Sequence, residues 1–177
     1  MNNLLDMSRL HAGALGVHPG PIGVDDVMPA VLAELGQASQ AVRVRLPDDL
    51  PELYADAGLL ERILANLLGN ALRHSTADRP PLLSGSTFGD RVELRVVDRG
   101  PGVAEADWDR IFVPFQRLGD RDNTTGVGLG LALSRGLAEA MGGTLEPENT
   151  PGGGLTMVLS LPAVPAPLLD RARSARR

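Results

Sequence analysis

The sequence predicts an α/β fold, a two-layer sandwich in which a mixed β-sheet is covered on one face by three helices. Three stretches carry that expectation. In Leu60–Ser75 the residues Ile63, Leu64, Leu67, Leu68, Ala71 and Leu72 recur at the i, i+3, i+4 spacing of a core-facing helix, behind Asp56 as an N-cap. Arg91–Val97 alternates polar and apolar as a half-buried strand does, and runs straight into Asp98. An apolar helical pattern then opens at Gly126-Val127-Gly128-Leu129-Gly130-Leu131 and ends at Gly142-Gly143. Two β-rich runs follow it, Thr144-Leu145-Glu146 and Leu155 to Leu161.

Length and composition bound the rest. With 177 residues and 43% apolar content the chain can build one two-layer core. It has no Cys, and its three His, at 11, 18 and 74, are too scattered for a metal cluster. The net charge of −5 argues against a nucleic-acid partner, whose phosphates call for a basic surface. Every basic residue is Arg, so any long cation that contacts a phosphate is a guanidinium. No apolar run approaches the roughly 20 residues of a membrane span, and the first residues lack a signal peptide's pattern.

In chain order, residues 1–16, with Leu4, Leu5, Met7, Leu10 and Leu15, read as the end of a truncated helix whose apolar stripe has no obvious partner. His18-Pro19-Gly20-Pro21 breaks the chain. Asp25-Asp26 then cap a first helix over about 25–39, carrying Val27, Val31, Leu32 and Leu35. Val42–Leu46 alternates as a strand, Pro47-Asp48-Asp49 turns it, and Glu52–Ala55 is a short second strand before the central helix. Pro80-Pro81 follows that helix, Leu82-Leu83 opens another strand, and Gly89-Asp90 is a turn. Trp108, Ile111, Phe112 and Phe115 anchor one end of a polar, aperiodic loop from Gln116 to Thr125, the composition of a lid between about 112 and 127. Beyond Pro162 the Pro- and Arg-rich segment 163–177 reads as a disordered tail.

Chemistry concentrates at three places. Asn66, Asn70 and Arg73 line one polar stripe of the central helix, where Asn costs helix propensity, so either a tolerated solvated face or a site explains them. Asp98-Arg99-Gly100-Pro101-Gly102 puts a carboxylate at a strand end with two Gly that let the backbone pass close to what it holds; a plain turn uses the same residues. Glycines at 126, 128 and 130 open a helix, where backbone N–H groups and the helix N-terminus suit a phosphate. A dinucleotide-binding fold would need a strand directly before them, and a P-loop would need Gly-Lys-Ser/Thr; neither is present.

Taken in this order, the segments resemble the ATP-binding catalytic domain of bacterial sensor histidine kinases, part of the gyrase–Hsp90–kinase–MutL superfamily with its Bergerat ATP-binding fold. The resemblance covers residues 4 to 162. Asn66 to Ser75 is similar to the family's N box, Asp98 to Gly102 to its first glycine box, Phe112 to Arg117 to its F box, Gly126 to Leu131 to its second glycine box, and Gly153 to Pro162 to its last. Leu4-Leu5-Asp6-Met7-Ser8-Arg9-Leu10 looks most like the KdpD-type, potassium-responsive kinases, which carry a similar run at the end of their dimerisation helices.

The resemblance implies roles position by position. Asn70 binds Mg²⁺ through its amide oxygen, Asn66 lines the triphosphate site, Arg73 reaches a phosphate, and Arg117 lies near the γ-phosphate. Asp98 accepts a hydrogen bond from the adenine amino group, with Thr156 supporting it from the neighbouring strand. Gly100, Gly102, Gly126, Gly128, Leu129 and Gly130 shape the nucleotide pocket and the lid hinge. His74 stands where the family commonly has Tyr, beside the ribose, and Gly69 where Glu often precedes the metal-binding Asn. The phosphoacceptor motif, a His followed by an acidic residue, is absent: Ala12, Pro19 and Ser75 follow the three His. The expectation is therefore the end of a dimerisation region at 1–16 and an ATP-binding domain at 17–162. Its partners would be ATP with Mg²⁺, the dimerisation/phosphoacceptor domain of the same kinase and a downstream response regulator. It would work in the cytoplasm, and any membrane association would come through other parts of the full-length protein. Hydrolases and anti-sigma serine kinases of the superfamily carry a general-base Glu where this chain has Asn66. A carboxamide cannot take that proton, which favours the histidine kinase. A module that binds a partner without nucleotide is the remaining alternative.

Overall fold

The computed structural model of the chain describes residues 3–115 and 128–164. Five strands form one sheet, β2 (Arg43–Arg45), β4 (Leu82–Phe88), β5 (Arg91–Val97), β6 (Thr144–Asn149) and β7 (Leu155–Pro162), in the order β2-β4-β5-β7-β6. β2 runs parallel to β4 and the other pairs are antiparallel, so the sheet is mixed. Alternation along β5 sorts its faces: Val92, Leu94 and Val96 are buried, whereas Arg95 faces the other side with Glu93 (2.7 Å) and Glu148 (3.8 Å). The buried residues join those of α2 (Val24–Leu35), α3 (Ala57–His74) and α4 (Gly130–Ala140) in a single apolar cluster. This is the expected α/β sandwich. No helix among the described residues is long and apolar enough to cross a membrane.

The central helix starts where the sequence places it. The Asp56 carboxylate accepts from the Leu59 N–H at 3.1 Å, satisfying one of the N–H groups that a helix start leaves unpaired. The first helix is shorter than the expected 25–39. Gly36, at φ 61°, ends α2, and a 3₁₀ segment (Gly36–Ala41) carries the chain to β2. Its N-cap is Gly23, whose N–H donates to the Asp26 carboxylate at 3.0 Å.

Two pairings are non-local and so leave no periodic trace. Gly20–Ile22, within the segment that reads as a chain break, is strand β1, pairing antiparallel with β3 (Leu53–Ala55) in a separate two-stranded sheet. β2 and β3 are therefore not partners, although only a turn separates them. Past Pro162 the backbone continues in register, with the Ala163 N–H on Asp90 O and the Val164 N–H on Glu52 O, both at 2.9 Å. The remainder of the segment expected to be disordered lies outside the described residues.

The helix at the start of the chain, α1 (Asn3–His11), does have a partner. Met7 is buried, Leu10 packs on the core, and Asp6, 8% exposed, is ion-paired with Arg62 of α3. The Arg62 guanidinium bonded to Asp6 holds its carboxyl below the usual carboxylate range; Arg9 adds to this and burial opposes it. A group with a lowered folded pKa contributes stability that is complete above its unfolded pKa, about 4. That contribution is lost as pH falls through the folded value. The ¹³C shift of the Asp6 carboxyl should thus be constant from neutral pH to about 5 and move only below about 4. Equal sensitivity between pH 5 and 7 would assign the contact to some other group.

Candidate functional site

Asp98 sits where β5 ends and is held almost entirely by backbone. Its N–H donates to Leu155 O at 2.9 Å, and its Oδ1 accepts from the N–H groups of Gly100 and Leu155, both at 3.0 Å. Oδ2 has no hydrogen-bond partner among the described residues, so one lobe of a largely buried carboxylate (8% exposed) stays available. A carboxylate in this position accepts from a ligand N–H and repels a ligand lone pair. Thr156, opposite Val97 in the β5–β7 register, shares a hydrogen bond with the Thr150 hydroxyl at 2.9 Å. The group that reaches Asp98 from that strand is the Leu155 N–H, a main-chain donor that residue types do not announce.

Close approach explains the glycines around it. A Cβ on Gly154, at φ 113°, would overlap the Asp98 carbonyl, and one on Gly100 would lie 2.6 Å from the His74 carbonyl oxygen. The turn 152–154, the loop 98–102 and the C-terminus of α3 are thereby packed backbone to backbone. His74 is exposed at that helix end. Gly102, at φ 72°, completes the loop over Gly154.

Asn66, the first residue of the polar stripe of α3, faces the start of α4. Asn66 Nδ2 donates to the fully buried Ser134 hydroxyl at 3.4 Å, and a Cβ on Gly130 would lie 3.7 Å from Asn66 Oδ1. Leu129, the N-cap of α4, offers no side-chain cap, so among the described residues no N-cap side chain takes up the first N–H groups of that helix. Asn70 Oδ1 accepts from Arg73 Nη2 at 2.5 Å. This oxygen already draws a cation, and it is the hard donor that a magnesium ion requires. Among the described residues no three His, Cys, Asp or Glu gather to hold a metal by themselves, so such an ion would need oxygens from elsewhere.

The near end of the expected lid is anchored at Phe112. Arg135 of α4 stacks on the Phe112 ring at 3.6 Å to its centroid while donating to Leu145 O and Glu146. The Phe115 N–H donates to Gly128 O at 3.1 Å, tying together the two ends of 116–127. Phe115 has φ 65° and is two-thirds exposed (66%), and Gly128 has φ 71°. Arg117 and Gly126 lie outside the described residues. Ser134, whose buried hydroxyl meets Asn66, escaped sequence reasoning because on α4 it reads as an ordinary small polar residue beside Arg135.

Residues 55–165 match the family model described as histidine kinase-, DNA gyrase B-, and HSP90-like ATPase. The chain is 52% identical over 94% of its length to the sensor protein KdpD of Rathayibacter rathayi. It is 43% identical over 91% of its length to the sensor protein KdpD of Mycobacterium tuberculosis (strain H37Rv). It spans 19% of the length of each. Among solved structures it is similar to full-length ShkA in complex with AMPPNP, at a TM-score of 0.75 and 31% identity, over 94% of this chain and 36% of that one.

Proposed function

The chain belongs to the family of histidine kinase-, DNA gyrase B-, and HSP90-like ATPases, and on that premise we propose that it binds Mg-ATP and supplies the γ-phosphate to a His on the dimerisation domain of a two-component sensor kinase. The observation that carries the reading is the Asp98 carboxylate, fixed by two backbone N–H groups through one oxygen and, among the described residues, without a hydrogen bond at the other. That oxygen accepts from the adenine amino group, a donor that guanine lacks at the same place. Asn66, Arg73 and the N-terminus of α4 meet the phosphates, with Arg117, Gly126, Gly128 and Gly130 supplying the lid side. Thr156 acts through its strand rather than by touching base.

When bound, Mg²⁺ neutralises phosphate charge, and it fits here because Asn70 offers one hard oxygen while phosphates and water supply the others. The chain's own contribution is orientation: Asp98 fixes the base, Asn66 and the glycine backbone fix the phosphates, and no carboxylate stands at Asn66 to deprotonate water. Neutral imidazole is already a nucleophile and needs no such base, so transfer to His is favoured over hydrolysis. Residues 1–16 are then the end of the dimerisation region and 17–162 the catalytic unit, working on the cytoplasmic side with a response regulator downstream.

With labelled ATP the chain alone should bind nucleotide and incorporate almost no phosphate. Acid-labile label should appear once a dimerisation domain carrying the acceptor His is joined to it, since a short linker supplies an effective concentration on the order of mM. Phosphohistidine on the isolated chain would make His11, His18 or His74 an acceptor and overturn the division of labour. Asn70→Ala should weaken nucleotide binding chiefly when Mg²⁺ is present, because it removes a metal ligand rather than a base contact. Calorimetry with and without Mg²⁺ decides: equal losses would contradict that role.

A further inference from the structure

Arg135, in the middle of α4, joins three elements. Its guanidinium lies 3.6 Å from the centroid of the Phe112 ring, while Nε donates to Leu145 O at 3.2 Å and Nη2 to the Glu146 carboxylate at 2.9 Å. A planar cation can present its face to a ring and its edge to two acceptors at once, which an ammonium on a flexible stem cannot do. The β6 side of this clamp is a fixed point, since Leu145 is fully buried. The Glu146 side chain is 59% exposed, and an ion pair so placed adds little to stability. What the arginine determines is where Phe112 stands.

From Phe112 the constraint runs on along the chain. Phe115, three residues later, holds φ at 65°, a conformation unfavourable for a residue with a bulky side chain, and its ring is too exposed for burial to offset much of that cost. In that conformation its N–H donates to Gly128 O at 3.1 Å. Leu129 and Gly130 follow, where α4 starts. The backbone at the start of the helix, which the ATP reading places against the phosphates, is thus braced from outside by 112–115, the segment that Arg135 pins from within the same helix. Backbone N–H groups stabilise an anion best when they are held in place beforehand.

We propose that Arg135 is a positioning residue for the phosphate end of the nucleotide site: by holding Phe112 it sets the Phe115–Gly128 tie, and with it the backbone N–H groups at the start of α4. This role rests on the ATP reading given above. It acts at a distance from the base, because Asp98 is held by the N–H groups of Gly100 and Leu155 and not by the 112–115 segment. Loss of the clamp should therefore weaken ligands that carry phosphates and spare a ligand that carries none.

The test uses the whole chain, with Mg-ATP and adenosine as probes and two variants. Arg135→Gln removes the stacked cation, and Phe112→Leu keeps an apolar side chain while removing the ring. Each should speed exchange of the Phe115 amide by about tenfold or more while the amides of Val96 and Leu159 stay protected. Each should weaken Mg-ATP by about tenfold or more in calorimetry, and adenosine, followed by NMR titration, by less than about twofold. The double variant should lose no more than either single one, because both break the same contact. Equal losses for Mg-ATP and adenosine, or losses that add in the double variant, would leave Arg135 a merely structural residue and overturn the role. A Phe115 amide that exchanges as in the parent would overturn it too. If the parent chain binds no Mg-ATP, the ATP reading fails and this role with it, which is visible before any variant is made.

Discussion

Asp98→Asn should weaken ATP binding by roughly 1.5–3 kcal/mol, the worth of a hydrogen bond to a charged group, with the melting temperature close to unchanged. The structure explains why the two effects separate. The carboxamide oxygen of the variant can keep the N–H groups of Gly100 and Leu155, which hold the loop at 3.0 Å each. Its NH₂ then occupies the place of the open oxygen and presents a donor to the adenine amine, itself a donor. Isothermal titration alongside thermal unfolding reads both. Unchanged affinity would remove Asp98 from the pocket, and a large drop in melting temperature would make it a structural residue.

Gly154→Ala should act in the opposite way, through the fold. At φ 113° the backbone occupies a region reserved for glycine, and the added methyl would run into the Asp98 carbonyl. The strain is expected to cost about 3 kcal/mol, at the upper end for a single residue in a sparsely populated conformation. The damage should also reach the site, because the same turn delivers the Leu155 N–H to Asp98. Urea unfolding measures the loss; a variant as stable as the parent would mean that the turn 152–154 can relax without disturbing the strand pair.

What could be read in advance is what local sequence encodes. α3 announced itself by a 3.6-residue period and Asp56, β5 by strict alternation, and the β6–β7 hairpin by its turn glycines. Non-local partners left no such record. Gly20–Ile22 forms a strand only because Leu53–Ala55 lies beside it, and β2 pairs in parallel with a strand nearly 40 residues on. The α1 stripe looked unpartnered because the core that receives Met7 and Leu10, with Gly136 of α4 beside Leu10, is built from residues far along the chain. At the site, Asn66, Asn70 and Asp98 stood out as polar side chains in apolar or turn contexts. The main-chain donor from Leu155 and the buried hydroxyl of Ser134 are properties of packing, visible only once the strands and helices are assembled.

The claim that this chain is an adenine-nucleotide site meets its most direct test in titrating Mg-ATP into it by calorimetry, with Mg-GTP as the comparison. The account predicts one saturable site for Mg-ATP and at least tenfold weaker binding of Mg-GTP, whose base presents a carbonyl oxygen to the Asp98 carboxylate. No heat with either nucleotide, or equal affinity for both, would contradict it.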